Sequence, residues 1–74
     1  MSKTIRLVEV GRYKWSGDIS VPEQASAISI ARLIAVEASK HLLSSDVSAI
    51  WNQKTRQGTI YVGLGRAVGG AVEV

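Results

Sequence analysis

Seventy-four residues are enough for one small domain, and without cysteine that domain has neither disulfides nor thiolate metal sites to steady it. Apolar residues at 46% against charged residues at 20% describe a chain that folds around a core rather than a disordered one. Nine basic against six acidic residues, a net charge of +3, permit contact with nucleic acid or an acidic protein but do not make a dedicated polybasic binder.

The first element is a strand from Thr4 to Lys14, rich in Ile, Val, Leu and Tyr. Its apolar residues change sides between Leu7 and Val8, so the reading places a bulge or bend at Glu9 to Gly11. Nothing before it resembles the apolar core of a signal peptide, and a cytoplasmic protein is the expectation. Ser16-Gly17-Asp18 reads as a turn, and Ile19 to Val21 as a short return strand.

A helix signal then runs from Ser20 to Ser45. Ser20 with Glu23 three residues on fits a capping box, and Pro22 falls in the first turn, where no intrahelical donor is needed. Ala27, Ala31, Ile34, Ala38 and Leu42 recur every three or four residues as the buried stripe, with Ile28, Ile30, Ala35 and His41 at its margins. Ser44-Ser45-Asp46 ends the helix. The opposite side mixes Ser26, Ser29, Arg32, Glu37 and Lys40 with Leu33, Val36 and Leu43. An ordinary solvated face carries more charge, so Leu33, Val36 and Leu43 are a candidate patch for self-association or a partner. Arg32, Glu37, Lys40 and His41 interrupt this segment, which rules it out as a membrane span.

Val47 to Gln53 is the next strand, with Val47, Ala49 and Trp51 on one side and Ser48, Ile50 and Asn52 on the other. Lys54 to Gly58 supplies a hairpin loop, and Thr59 to Leu64 returns as a strand. The segment from Gly63 to Gly70 reads as irregular or bent. Ala71 to Val74 is long enough for only a short last strand. The expected architecture is α+β, ordered β-β-α-β-β: one domain over 1–74, a four-stranded antiparallel sheet with a long helix on one face. Ile5, Leu7, Ala49, Trp51, Ile60, Val62 and Leu64 would face the helix. Arg6, Arg12, Lys14, Ser48, Asn52, Thr59 and Tyr61 would face outward.

Catalytic chemistry finds little support. His41 is the only histidine, and with no cysteine a transition-metal site would lack its usual ligands. Glu23 reads as a cap, Asp18 and Asp46 as turn residues, and no spacing forces Glu9, Glu37 or Glu73 into a carboxylate pair. The glycines at 63, 65, 69 and 70 are followed by too few residues to form the helix that a phosphate loop needs. No catalytic residue, metal or cofactor is therefore expected. The expected partner surface is basic: Arg6, Arg12, Lys14 and Tyr61 on the open sheet face, with Lys54 and Arg56 on the hairpin tip. The leading expectation is a small non-enzymatic regulatory or inhibitory protein that docks on another macromolecule, a protein first of all. A phage or mobile-element inhibitor of host machinery, such as an anti-CRISPR, is one concrete version, by analogy of size and architecture. The alternative is a nucleic-acid binder using the basic face and hairpin, and a third form is a structural subunit that dimerises through the helix or an exposed strand edge.

Overall fold

The computed structural model describes residues 2–42 and 46–74. Six elements follow in order: β1 Ser2–Val10, β2 Trp15–Pro22, α1 Ala27–Ser39, β3 Val47–Asn52, β4 Gln57–Val62 and β5 Arg66–Glu73. The strands form one antiparallel sheet in the order β2-β1-β5-β4-β3. The α+β class with one helix and an antiparallel sheet is as expected; the strand count is not. Arg66–Glu73 is an eight-residue strand at the centre of the sheet, where the sequence reading has an irregular segment and at most four final residues of strand.

Glycine explains the difference. A strand is recognised by its side chains, and Gly69 and Gly70 have none. A Cβ on Gly69 would lie 3.0 Å from Val10 Cα and 3.3 Å from the Glu9 carbonyl oxygen. The missing side chain lets β5 run close against the bulged end of β1, a tertiary requirement with no local signature. That bulge falls where the alternation breaks: the β1–β2 register shifts between Leu7 and Val10, and Glu9 adopts φ +52°.

The hairpin turn between β1 and β2 is Gly11–Lys14, closed by the Lys14 N–H donating to the Gly11 carbonyl at 3.2 Å. It is not Ser16-Gly17-Asp18, and β1 stops at Val10 rather than Lys14. Gly17 instead sits in β2 opposite Leu7, beneath the Trp15 ring, whose Cζ2 is 2.4 Å from where a Cβ would be. Trp15 stacks in turn on His41, ring centroids 3.5 Å apart and 14° from parallel.

The helix is shorter than its sequence signal. Ser20, Val21 and Pro22 are strand residues, paired with Thr4, Lys3 and Ser2 of β1. Ser20-x-x-Glu23 is therefore not a capping box, and Pro22 ends an edge strand, where a missing N–H costs nothing. The N-cap is Ser26, whose Oγ accepts the Ser29 N–H at 3.2 Å. Replacing Ser26 by alanine is expected to cost about 1 kcal/mol by denaturant unfolding. Ser20→Ala should fall within about 0.5 kcal/mol of the parent, as surface changes do. Equal losses would restore the earlier helix start. At the other end the helix finishes at Ser39, and the Ser44 and Ser45 stop signals lie outside the described residues.

The core lies between α1 and one face of the sheet. Ile30, Ile34 and Ala38 of the helix meet Ile5, Leu7, Val10, Val21, Trp51, Ile60 and Ala71, all nearly or wholly inaccessible. Burying each large aliphatic chain contributes about 1.5–3 kcal/mol, the main favourable term in so small a chain. Ala27, Ala31, Leu42, Val47 and Ala49 pack at its margins. Ile30, read from the sequence as marginal, is central. Two residues placed inside by the sequence are not: Val62 is only half-buried, and Leu64 stands fully exposed in the β4–β5 turn because β4 ends at Val62.

Candidate functional site

Strand order decides what this surface can do. β5 pairs with β1 and β4, so the two free edges are β2 and β3. Native sheets blunt free edges with charge, proline or bulges. β2 carries Gly17, Asp18 and Pro22; β3 reads Val-Ser-Ala-Ile-Trp-Asn and carries none of these.

The phase of the β3 edge follows from one bond. The Gly63 N–H donates to the Asp46 carbonyl at 3.0 Å, and residues 47 and 62 are opposite one another. Hydrogen-bonded pairs alternate in an antiparallel ladder. Ser48, Ile50 and Asn52 therefore bond to β4, while the main-chain groups of Val47, Ala49 and Trp51 point to the open edge. The side chains of these three residues face the helix.

A furrow of about 430 Å³ lies beside that edge, walled by Ala27, Ala31 and Ala35 of α1 and floored by Val47, Ala49 and Trp51. The alanines leave space that larger residues would fill. Ile28, 68% exposed, stands on its lip beside Arg32, and Ile50, 58% exposed, borders it from β3 with its side chain turned to the open sheet face. Arg32 pairs with no carboxylate among the described residues. Trp51 is 7% exposed, and its indole N–H finds no acceptor among them either. The Gln53 side-chain amide donates to the Ala25 carbonyl at 3.2 Å, tying the end of β3 to the entry of α1.

The basic surface expected from the sequence is divided. Arg12 and Lys14 lie in the β1–β2 turn rather than on the sheet face, at the same end as the β4–β5 turn. Lys54 and Arg56 lie in the β3–β4 turn at the opposite end, a strand length of roughly 20 Å away. Arg6 does project from the open face, but its Nε donates to Asp18 Oδ1 at 2.9 Å. That hydrogen bond holds the Asp18 carboxyl below its ordinary value and raises the Arg6 guanidinium. Tyr61 lies opposite Ser48, and Thr59 opposite Ile50, on the same open face. Leu33 and Val36 are exposed on the helix and line no part of the furrow; Leu43 lies outside the described residues.

Arg66 joins Arg12 and Lys14 around a second, wider cleft of about 870 Å³, which Val8, Val62 and Gly70 also line. In the β1–β2 and β4–β5 turns at the same end of the sheet, Tyr13 is 90% exposed and Leu64 wholly so. His41 makes a structural pair: besides stacking on Trp15, its Nε2 lies 3.6 Å from Glu37 Oε2. Among the described residues no three of His, Cys, Asp and Glu gather where they could hold a metal ion, and no helix is long and apolar enough to cross a membrane.

Sequence reasoning missed Ile28, Arg32, Ile50 and Arg66. A signal for the first three was present in alanines at 27, 31 and 35 preceding a strand without charge, glycine or proline. No family model matches the chain, and no curated protein or solved structure matches it.

Proposed function

We propose that this chain is a non-enzymatic binding module that docks on another protein through the furrow between α1 and β3, in the manner of a small regulatory or inhibitory protein. One observation carries this reading: an unblunted sheet edge runs beside an apolar furrow bordered by two largely exposed isoleucines, Ile28 on the helix side and Ile50 on the open face of the edge strand. Exposed apolar side chains gathered beside an open edge are what a partner surface needs, and a monomer gains nothing from them. The proposed setting, the cytoplasm, rests on the sequence reading alone. So does the phage-inhibitor version of the role.

The test uses a photoreactive residue placed at position 28 or 50 in the native host. The expected product is a covalent complex with one protein, absent when Arg32 or the other of these two isoleucines is changed to Asp while the circular dichroism stays that of the parent. Crosslinkers at Tyr13 or Leu64 should not form it.

A second reading has its own observation. Arg12, Lys14 and Arg66 line one cleft at the end of the sheet whose turns carry an exposed tyrosine and an exposed leucine, a pattern that suits phosphates with a stacked or wedged base. If this end binds nucleic acid, affinity falls steeply with salt and collapses in the triple Glu variant. Strong retardation of random duplex or single strand near physiological salt, insensitive to Ile50→Asp, would move the function to this end.

A further inference from the structure

We propose that the occupant of the furrow is an extended segment of the partner protein, which pairs with β3 as a sixth strand and brings a carboxylate to Arg32. This rests on the docking reading above and specifies its chemistry.

Three observations converge on it. The outward main-chain groups of Val47, Ala49 and Trp51 form half a ladder that no strand among the described residues completes. An added strand completes it and satisfies several polar groups at once, the source of affinity in strand addition. The same three residues turn their side chains toward the furrow, so every second residue of an added strand would project into the space left by Ala27, Ala31 and Ala35. That alternation calls for apolar side chains in the partner. Finally, Arg32 stands on the furrow wall without a carboxylate among the described residues. A guanidinium flanked by apolar surface is matched by a planar carboxylate, which it can hold through two parallel bonds.

Charge also argues against a second copy of this chain in that place. Pairing β3 with its twin across a two-fold axis would bring up Val-Ser-Ala-Ile-Trp-Asn, which has no acid. The helical acid of the twin, Glu37, is already engaged by Lys40 and His41. Self-pairing would bring up two arginines, and among the described residues of β3 and α1 no unengaged carboxylate meets them.

The experiment pans a random decapeptide display library on the full chain and remakes the recovered sequence as a capped synthetic peptide. The expected sequence alternates apolar residues and contains an acid. Arg32→Glu weakens its binding at least tenfold, and Arg32→Lys weakens it less. Hydrogen exchange with the peptide bound slows the amides of Val47, Ala49 and Trp51, while those of Ser48, Ile50 and Asn52, already bonded to β4, stay as they were. N-methylation of alternate peptide residues abolishes binding in one register only. Failure to recover any peptide overturns the proposal, as do recovered peptides without acid. A dimer by light scattering whose three edge amides are protected in the free chain overturns it in favour of self-pairing. A peptide that binds with loss on Ile28→Asp, yet leaves the three amides and Arg32→Glu without effect, overturns strand addition and leaves docking standing. Indifference to Ile28→Asp and Ile50→Asp as well removes both.

Discussion

Replacing Gly58 by alanine lowers stability by about 1–3 kcal/mol or more, the range for forcing an extra methyl into a filled interior. A Cβ there would sit 2.4 Å from the Ile50 carbonyl oxygen and 2.9 Å from Trp51 Cε3. The carbonyl cannot retreat, because the hydrogen-bonding phase of the β3–β4 ladder commits Ile50 to Thr59. Trp51 cannot retreat either without uncovering Ile60 and the helix contacts it closes. Whole-chain stability at this length is about 4–11 kcal/mol, so the loss is a large fraction of what is there. Urea unfolding followed by tryptophan fluorescence should show a lower midpoint with an unchanged slope. Gly70→Ala is the internal control. Its nearest neighbours would be 3.6 Å away, an ordinary contact, and its φ is not positive. A neutral effect, or a gain of about 0.4–1 kcal/mol from the stiffer unfolded chain, is expected there. Were Gly58→Ala as harmless as Gly70→Ala, the ring of Trp51 would not lie over β4 and the floor of the furrow would be misplaced.

The contrast between these glycines shows where sequence reading stops. Local patterns in the chain were sufficient for the existence of β1, its bulge, the helix and the two faces of β3, because each is written in the spacing of apolar side chains, but not for where β1 ends or where the helix starts. Gly58 looked like a loop residue because glycine ends many loops; its real task, to make room for an indole from the next strand, is visible only once the strands are paired. Gly69 does the same for Val10, and its lack of a side chain concealed the central strand altogether. The candidate site depends on that concealed strand. With β5 inserted between β1 and β4, β3 becomes a free edge, and only then do Arg32, Ile28 and Ile50 belong to one furrow. The basic residues failed for the related reason that which end of a sheet a turn occupies is a matter of strand direction. Arg12 and Lys14 went to one end, Lys54 and Arg56 to the other, and Arg66, read as part of an irregular segment, joined the first pair.

Ile34→Ala and Val36→Ala, two positions apart on α1, should differ by several kcal/mol. Ile34 is wholly inaccessible and belongs to the central cluster with Ile30, Ala38, Ile5 and Ile60. Removing three of its carbons takes away the transfer term and leaves a cavity, together about 2–5 kcal/mol. That is a large fraction of the chain's stability, and the unfolding midpoint should fall well below that of the parent. Val36 is 59% exposed, and its truncation should stay within about 0.5 kcal/mol. Two residues on a helix point about 200° apart, so this pair of variants measures the rotation of α1 about its own axis. The same rotation sets which helical residues border β3. With Ile34 inward, Ala31 and Ala35 fall on the furrow wall and Arg32 on its lip; a helix turned halfway round would bury Val36 and, four residues before it on the same face, the charged Arg32 as well. Comparable losses for the two variants in thermal or urea unfolding would therefore remove the binding surface along with the packing. A large loss at Ile34 beside a silent Val36 fixes the face on which any partner strand must lie.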